Sequence, residues 1–181
     1  MPADTELRLR QWRPEDSRAF ARLNANPEVM RHFPACLSQT ASDALLERCR
    51  QGIAERGWGF WALERRADGA LLGLLGISPV APDIPCAPAV EIGWRLDRPF
   101  WGQGYASRGA QLALAHAFDT LGLDEVVAFT AVSNQPSLAV MRRLAMVDAG
   151  HFEHPRLPPG HSLRPHRLFR LKRSQWQSSR P

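Results

Sequence analysis

Two glycines one residue apart, Gly102 and Gly104, stand between a strand pattern that ends at Leu96 and a helix pattern that begins at about Tyr105. Glycine lets the backbone take conformations that side chains block, and it lets a ligand come close to the chain. Unpaired N–H groups at the start of the helix, aided by its dipole, suit a phosphate or pyrophosphate. A plain glycine cap makes the same pattern, so both readings stand at this point. Two nucleotide-binding motifs are excluded by spacing. A Walker loop needs Gly-Lys-Ser/Thr, which the chain lacks. A dinucleotide fingerprint needs its glycines directly after the strand, whereas Asp97 to Trp101 intervene and Ser107 holds the third position. Asp124, about 20 residues on, falls at the start of the next strand, the wrong end for a ribose contact.

The rest of the chain is punctuated by Pro and Gly at element spacing. Leu7 and Leu9 alternate with Arg8 and Arg10 in a strand over Glu6–Trp12. Pro14-Glu15-Asp16 opens a helix, with proline and acids in its first turn. Thr40 to Glu55 is a second helix, on the recurrence of Ala44, Leu45, Cys49 and Ile53. Gly57–Leu63 and Ala70–Ile77 are strands joined at Ala67-Asp68-Gly69. A Pro-rich loop, Pro79 to Pro88, leads to a strand over Ala89–Leu96. The helix from about Tyr105 to Leu121 carries Ala106, Ala110, Ala113 and Ala117 on one face, small enough to lie close against a sheet, and Gly122 sits where a C′ glycine belongs. Val126–Val132 is a continuous apolar run, as in a buried strand. Asn134-Gln135-Pro136 starts a helix with Leu138, Met141 and Leu144 on one side, and strands near Met146–Glu153 and Arg167–Lys172 follow. The order β-α-α-β-β-β-α-β-α-β-β is mixed α/β. With no repeat, low-complexity stretch or linker, residues 1–181 read as a single domain.

Composition narrows the function classes. A chain of 181 residues buries most of its apolar surface without staples. Apolar residues at 44% and charged residues at 23% are an ordinary soluble mix. No apolar run approaches the roughly 18 residues of a membrane span, so no membrane contact is expected. Met1 to Glu6 has neither a basic n-region nor a following apolar stretch, so it does not read as a secretory signal. Cys36, Cys49 and Cys86 are odd in number, far apart and never in a Cys-x-x-Cys, which points to a reducing cytoplasm. Residues 151–181 hold six Arg, Lys172 and one acid, Glu153, for +6; residues 1–150 hold sixteen Arg and seventeen acids, for −1. A basic end attracts anions such as nucleic acid. The reading preferred here is a solvated C-terminal edge strand and fraying tail, with no nucleic-acid partner expected. His151, His154, His161 and His166 crowd the same tail, but their spacings match no ligand pattern, and no metal is expected.

Three segments together, Glu91-Ile92-Gly93-Trp94-Arg95-Leu96, Trp101-Gly102-Gln103-Gly104-Tyr105-Ala106 and Asn134-Gln135-Pro136-Ser137, resemble the GNAT acetyltransferases, specifically the RimJ/RimL-type branch. The likeness covers nearly the whole chain and is strongest from Glu91 to Gly150. The ending, His154-Pro155 through Gly160-His161 to Leu168-Phe169-Arg170-Leu171, also looks like this branch. The superfamily pattern is Gln/Arg-x-x-Gly-x-Gly/Ala, with Trp101 in place of the Gln/Arg. The resemblance implies a single-domain GNAT fold: a central, mostly antiparallel sheet with a splayed strand pair and helices on both faces. It implies acetyl-CoA as donor and an amine acceptor, with the cofactor entering the splay. Trp94, Arg95 and Leu96 would pair their backbone with the pantetheine arm. Gly102, Gln103, Gly104, Tyr105, Ala106 and Ser107 would hold the pyrophosphate by N–H groups, and Asn134 would contact the cofactor. Asn134 is equally an ordinary helix N-cap.

The chain departs from the family pattern at informative places. Met141 stands where many relatives carry a tyrosine that protonates the departing thiolate, and Tyr105 is the only tyrosine. Phe129 replaces a catalytic Glu of some relatives, Arg108 replaces a frequent Glu, and Ala145-Met146 replaces a usual Gly-Phe. The remaining candidates are Glu91 as general base, directly or through water, and Ser137 as donor to sulfur. Glu91 is alternatively the ion-pair partner of Arg95, and Ser137 a first-turn cap. Replacing Glu91 by Gln is expected at this level to lose activity most at low pH. The implied activity is transfer of acetyl to a protein N-terminal or small-molecule amine by direct attack in a ternary complex, in a monomer or homodimer. The alternative is a catalytically reduced CoA-binding sensor or partner-binding module.

Overall fold

The computed structural model describes residues 4–178. Its centre is a seven-stranded sheet in the order β1-β2-β3-β4-β5-β7-β6. The strands are β1 (Leu7–Arg10), β2 (Phe60–Arg65), β3 (Leu71–Pro79), β4 (Val90–Leu96), β5 (Glu125–Ala131), β6 (Val147–Glu153) and β7 (Pro165–Lys172). Every neighbouring pair is antiparallel except β4 and β5, which run parallel and meet at one register pair, Glu91↔Val127. Beyond that pair the two strands diverge, so the sheet has a gap along the C-terminal half of β4.

The register sorts β4 side chains between the two faces. Phe60, Gly76 and Gly93 share one cross-strand row, and Ala62, Leu74 and Arg95 share the next. Ser78 pairs with Glu91 on the same face. That face is covered by α1 (Asp16–Ala25), the short α2 (Pro27–Met30) and α3 (Gln39–Arg56). Ser38 caps α3 by accepting from the Ala41 amide at 3.2 Å. The opposite face carries Trp61, Leu75 and Trp94 and is covered by α4 (Tyr105–Ala115) and α5 (Gln135–Arg143). The small residues of α4 do what their size suggests: a Cβ at Gly109 would fall 2.8 Å from Leu75 Cδ1, so only glycine lets the helix lie this close to β3. A π-helical turn, His116–Thr120, continues α4.

Two short helices escape the sequence patterns. α2 has four residues, opened by the Asn26 side chain accepting from Glu28 N and by Pro27 at its start. α6 (Arg173–Ser178) buries Trp176 against Phe118, with ring centroids 5.8 Å apart. Neither is long enough to show helical periodicity.

The C-terminal strand corrects an expectation. β7 is not an edge strand: it lies between β5 and β6, and Leu168, Phe169 and Leu171 are buried. The described tail arginines are paired with acids, in bridges that stay at the solvated surface. Arg156, Arg164, Arg167, Arg170 and Arg173 pair with Asp83, Glu153, Asp148, Glu125 and Asp124 respectively. Four acids outside the block, Asp83, Asp124, Glu125 and Asp148, thus offset a charge that looks strongly basic in one dimension. Among the described residues no group of His, Cys, Asp or Glu is arranged to hold a metal ion, and no helix is long and apolar enough to cross a membrane.

Ala145 explains one departure from the family pattern. It is the one described non-glycine residue with positive φ, at +58°, directly after α5, while Met146 fills the core behind it. The left-handed conformation costs an L-residue about 1–2 kcal/mol, partly offset by the greater chain entropy of glycine. Ala145→Gly is therefore expected to stabilise the fold by up to about 1 kcal/mol, read as a higher urea midpoint at unchanged slope. A lower midpoint would contradict this account of the turn.

Candidate active site

The glycine turn has the conformation its sequence calls for. Gly102 and Gly104 have φ of +75° and +78°, and a Cβ at either would meet open space. The chain therefore needs glycine here for its backbone angle, not because packing excludes a side chain. A short 3-10 turn, Arg98–Phe100, leads in, with Asp97 Oδ1 accepting from its own chain at Arg98 N. Among the described residues, none of the amides from Gly102 to Ser107 donates to a carbonyl or side-chain oxygen. Six N–H groups are thus left without a protein acceptor at the start of α4, donors of the kind that bind phosphate oxygens.

The side chains of this segment are occupied elsewhere. Gln103 Nε2 donates to the Pro99 carbonyl at 2.8 Å, and the buried Tyr105 hydroxyl donates to Glu6 at 3.0 Å. Arg108, where the family often has Glu, is clamped by Asp4 and Glu6 at 2.8 Å, tying α4 to the chain before β1. Arg143 is a residue that sequence reasoning missed. Its Nη1 reaches from the end of α5 to Ser107 Oγ at 3.1 Å, which sets a cation beside the free amides. Only the three-dimensional approach of α5 to α4 brings it there.

The gap beside β4 can be read from backbone parity. The Asp97 amide donates to the Leu72 carbonyl at 2.8 Å, and the Ala89 carbonyl accepts from Val80 at 2.9 Å. Residues of that parity, Arg95 included, turn their backbone groups to β3, and alternate residues turn theirs to β5. Trp94 and Leu96 therefore offer backbone groups to the gap, while Arg95 does not. This corrects the expectation for Arg95, whose neighbours in sequence carry the free edge. Of the free groups, only the Leu96 carbonyl is taken, by Trp101 Nε1 at 2.8 Å.

Asn134 and Ser137 sit across the gap. Asn134 Oδ1 accepts from the Ser137 amide at 3.3 Å, and its Nδ2 donates to Thr130 Oγ1 at 2.8 Å. The cap reading of Asn134 is realised. Ser137 is more than a capped residue, because its Oγ accepts from Trp94 Nε1 at 3.3 Å. That bond holds the hydroxyl at the side of β4 and leaves its own proton free to donate. Met141 is buried in the core and offers no acid.

Glu91 lies on the other face, at the point where β4 and β5 part. The Pro-rich loop after β3 folds over this end, with Val80, Ile84 and Cys86 buried against Val127 and Leu168. Burial pushes the Glu91 carboxyl up to about 7, opposed only by the Arg156 charge. It makes no ion pair with Arg95, whose Nη1 donates to Asn24 Oδ1 instead. Phe129, Phe152, His154 and His166 cluster beyond the loop, with the two imidazoles 4.8 Å apart, and burial holds both below the usual histidine value. A carboxyl that titrates at about 7 thus lies on one face of the sheet where β4 and β5 part, and a hydroxyl held by Trp94 lies on the other.

Residues 6–147 match the family model described as an acetyltransferase (GNAT) domain. The chain belongs to the GNAT acetyltransferase family. It is 31% identical over 150 residues to FsC-acetyl coenzyme A-N(2)-transacetylase of Aspergillus fumigatus, covering 77% of this chain and 62% of that protein, less than two thirds of its length. It is 26% identical over 152 residues to the N-acetyltransferase YoaA of Bacillus subtilis, covering 80% and 81%. Among solved structures, a GNAT acetyltransferase from Bacillus anthracis superposes with a TM-score of 0.79 at 19% identity, covering 93% of this chain and 96% of that one. The spermidine N-acetyltransferase of Vibrio cholerae, in complex with CoA and spermine, superposes with a TM-score of 0.76 at 20% identity, covering 96% and 99%. These likenesses establish the mixed α/β GNAT fold.

Proposed function

We propose that the protein transfers the acetyl group of acetyl-CoA to a primary amine by direct attack in a ternary complex, as a cytoplasmic member of the RimJ/RimL-type branch. The observation that carries this reading is the pair of hydrogen-bonding surfaces at the gap: free amides at Gly102–Ser107 and the free backbone edge of Trp94 and Leu96. The first fits a pyrophosphate and the second an extended amide arm, and Arg143 adds a cation beside the first. Acetyl-CoA supplies the activated acetyl group as a thioester.

Each residue then has a separate task. Glu91 takes a proton from the acceptor ammonium, a role suited to a group that titrates at about 7. The Trp94 amide donates to the carbonyl oxygen as negative charge develops on it, and the Leu96 amide, about 6.6 Å further along the strand, is left for the extended arm. The new C–N bond forms as the C–S bond breaks; Ser137 gives its proton to the departing sulfur and is reprotonated by the second proton that the nitrogen sheds in becoming an amide. A thiol of pKa about 8.5 leaves with only modest help, so the loss of the family tyrosine at Met141 is tolerable. Asn134 acts through its cap, placing Ser137.

The test is thiol release from acetyl-CoA with a panel of amines, with product mass confirming one added acetyl group. Tight acetyl-CoA binding with no turnover on any amine would favour the sensor reading instead. Within an active pair, Ser137→Ala is expected to lower kcat by about 10–100-fold with little change in acetyl-CoA affinity. Full kcat in the folded variant would reduce Ser137 to a first-turn residue, with solvent protonating the thiolate.

A further inference from the structure

Arg95 is a half-buried cation without an anion. Its Nη1 donates to Asn24 Oδ1 at 2.6 Å, and its guanidinium carbon lies 4.0 Å from the Phe33 ring centroid. Asn24 is fully buried and is itself fixed, because its Nδ2 donates to Ser42 Oγ at 2.9 Å. Arg95 Nε is sealed from solvent and has no hydrogen-bond partner, and Arg95 forms no ion pair among the described residues. Burial pushes the guanidinium down to about 10, so it remains charged at neutral pH. A charge held partly out of water without a countercharge is costly. The chain avoids that cost elsewhere: the buried Glu64 carboxylate meets Arg8 and Arg10, each at 2.5 Å.

The surroundings of Arg95 are cationic as well. It shares a sheet face with Glu91, four residues and about 13 Å along the same strand. Phe60 lies between them, over Gly93. A cleft of about 180 Å³ opens on this face, lined by Phe60 and Ser78 from the sheet and by Leu45, Arg48, Cys49 and Arg56 from α3. Arg48 is exposed and forms no ion pair among the described residues, and Arg56 turns over the Trp58 ring at 5.4 Å. No acidic side chain lines the cleft.

We propose that the acceptor amine carries a carboxylate at its other end, which Arg95 holds while Arg48 and Arg56 draw it into the cleft. The inference rests on the acetyl-transfer reading and names its substrate class. A guanidinium fork matches a carboxylate in shape and charge. Glu91 lies outside the cleft, as the cross-strand partner of Ser78, which lines it; from there its carboxylate attracts the ammonium and repels the anion, so the two charges fix which way the acceptor lies. A polycation such as the spermine bound by the Vibrio cholerae enzyme meets the wrong field here.

The test measures binding by calorimetry, with the full chain and CoA present. The probes are a ladder of ω-amino acids from glycine to 8-aminooctanoate, the n-alkylamines of matching length, and spermidine. At least one ω-amino acid is expected to bind about 10–100-fold tighter than its alkylamine, the size of a charge-assisted hydrogen bond. Arg95→Gln is expected to abolish that ratio, and Arg95→Lys, which keeps the charge but loses the fork, to narrow it. The proposal is overturned if alkylamines bind as well at every length, if spermidine binds tightest, or if the ratio survives in Arg95→Gln. Should Arg95→Gln not fold, the wild-type ladder and Arg95→Lys decide in the same way, an unchanged ratio in Arg95→Lys counting against it. Failure to acetylate any amine would sink the proposed function without moving this binding ladder, so the two failures are distinguishable.

Discussion

Replacing Gly104 by valine is expected to weaken acetyl-CoA binding by about 100-fold or more, equivalent to about 2.7 kcal/mol. Two effects combine. The φ of +78° is strained for any side chain and worst for a β-branched one, so the turn opens and its amides lose their common aim. The new side chain also stands in open space beside those amides, where a Cβ meets nothing of the protein within 4 Å. Each charge-assisted hydrogen bond to a pyrophosphate is worth roughly 1.5–3 kcal/mol, so losing one or two reaches the expected figure. Because that space holds no protein atoms, the core does not resist the substitution. Calorimetric titration with acetyl-CoA, beside a thermal melt of the variant, checks it. A folded variant with unchanged affinity would remove the cofactor from this turn.

Glu91→Gln is expected to lower kcat/KM by about 10²–10⁴-fold above neutral pH. The direction with pH follows from the raised carboxyl. A base works ionised, and a group titrating at about 7 is mostly protonated below that value. The wild-type rate should therefore rise through pH 7, and the variant should lose that limb. The gap between the two is widest above pH 7 and closes below it, the reverse of the expectation formed from sequence. Stability gives an independent sign. A carboxyl raised in the folded state contributes fully below its ordinary value, and that contribution is lost as pH rises through about 7. Glu91→Gln should thus melt higher than the wild type at pH 8, although it is nearly inactive. A pH profile that keeps its limb near 7 in the variant would assign the base elsewhere.

What the sequence made legible follows the range of each signal. The Gly102–Gly104 turn, the alanine face of α4 and the capped start of α5 are local patterns, and all three take the expected form. The parity of Glu91, Gly93 and Arg95 was legible as a shared face. The edge to which each backbone points was not, because it depends on the register with β3. That register gives the free groups to Trp94 and Leu96 and turns Arg95 away. The partner of Arg95 was also hidden: Glu91 lies four residues off in sequence, yet Asn24, 71 positions away, takes the hydrogen bond. Arg143 and the ion pairs of the tail are invisible for the same reason, since their partners come from other elements. The Pro-rich loop carries no motif, and its burial of Glu91 emerges only when Val80, Ile84 and Cys86 pack on β5 and β7.

The most direct measurement is an amide-resolved NMR titration with acetyl-CoA. The account predicts that the amides of Gly102 to Ser107, with those of Trp94 and Leu96, shift most and gain protection from exchange, while Arg95, bonded to β3, changes less. Perturbation centred on the α1–α3 face, or on the His154–His166 cluster, with the Gly102–Ser107 amides unmoved, would contradict it.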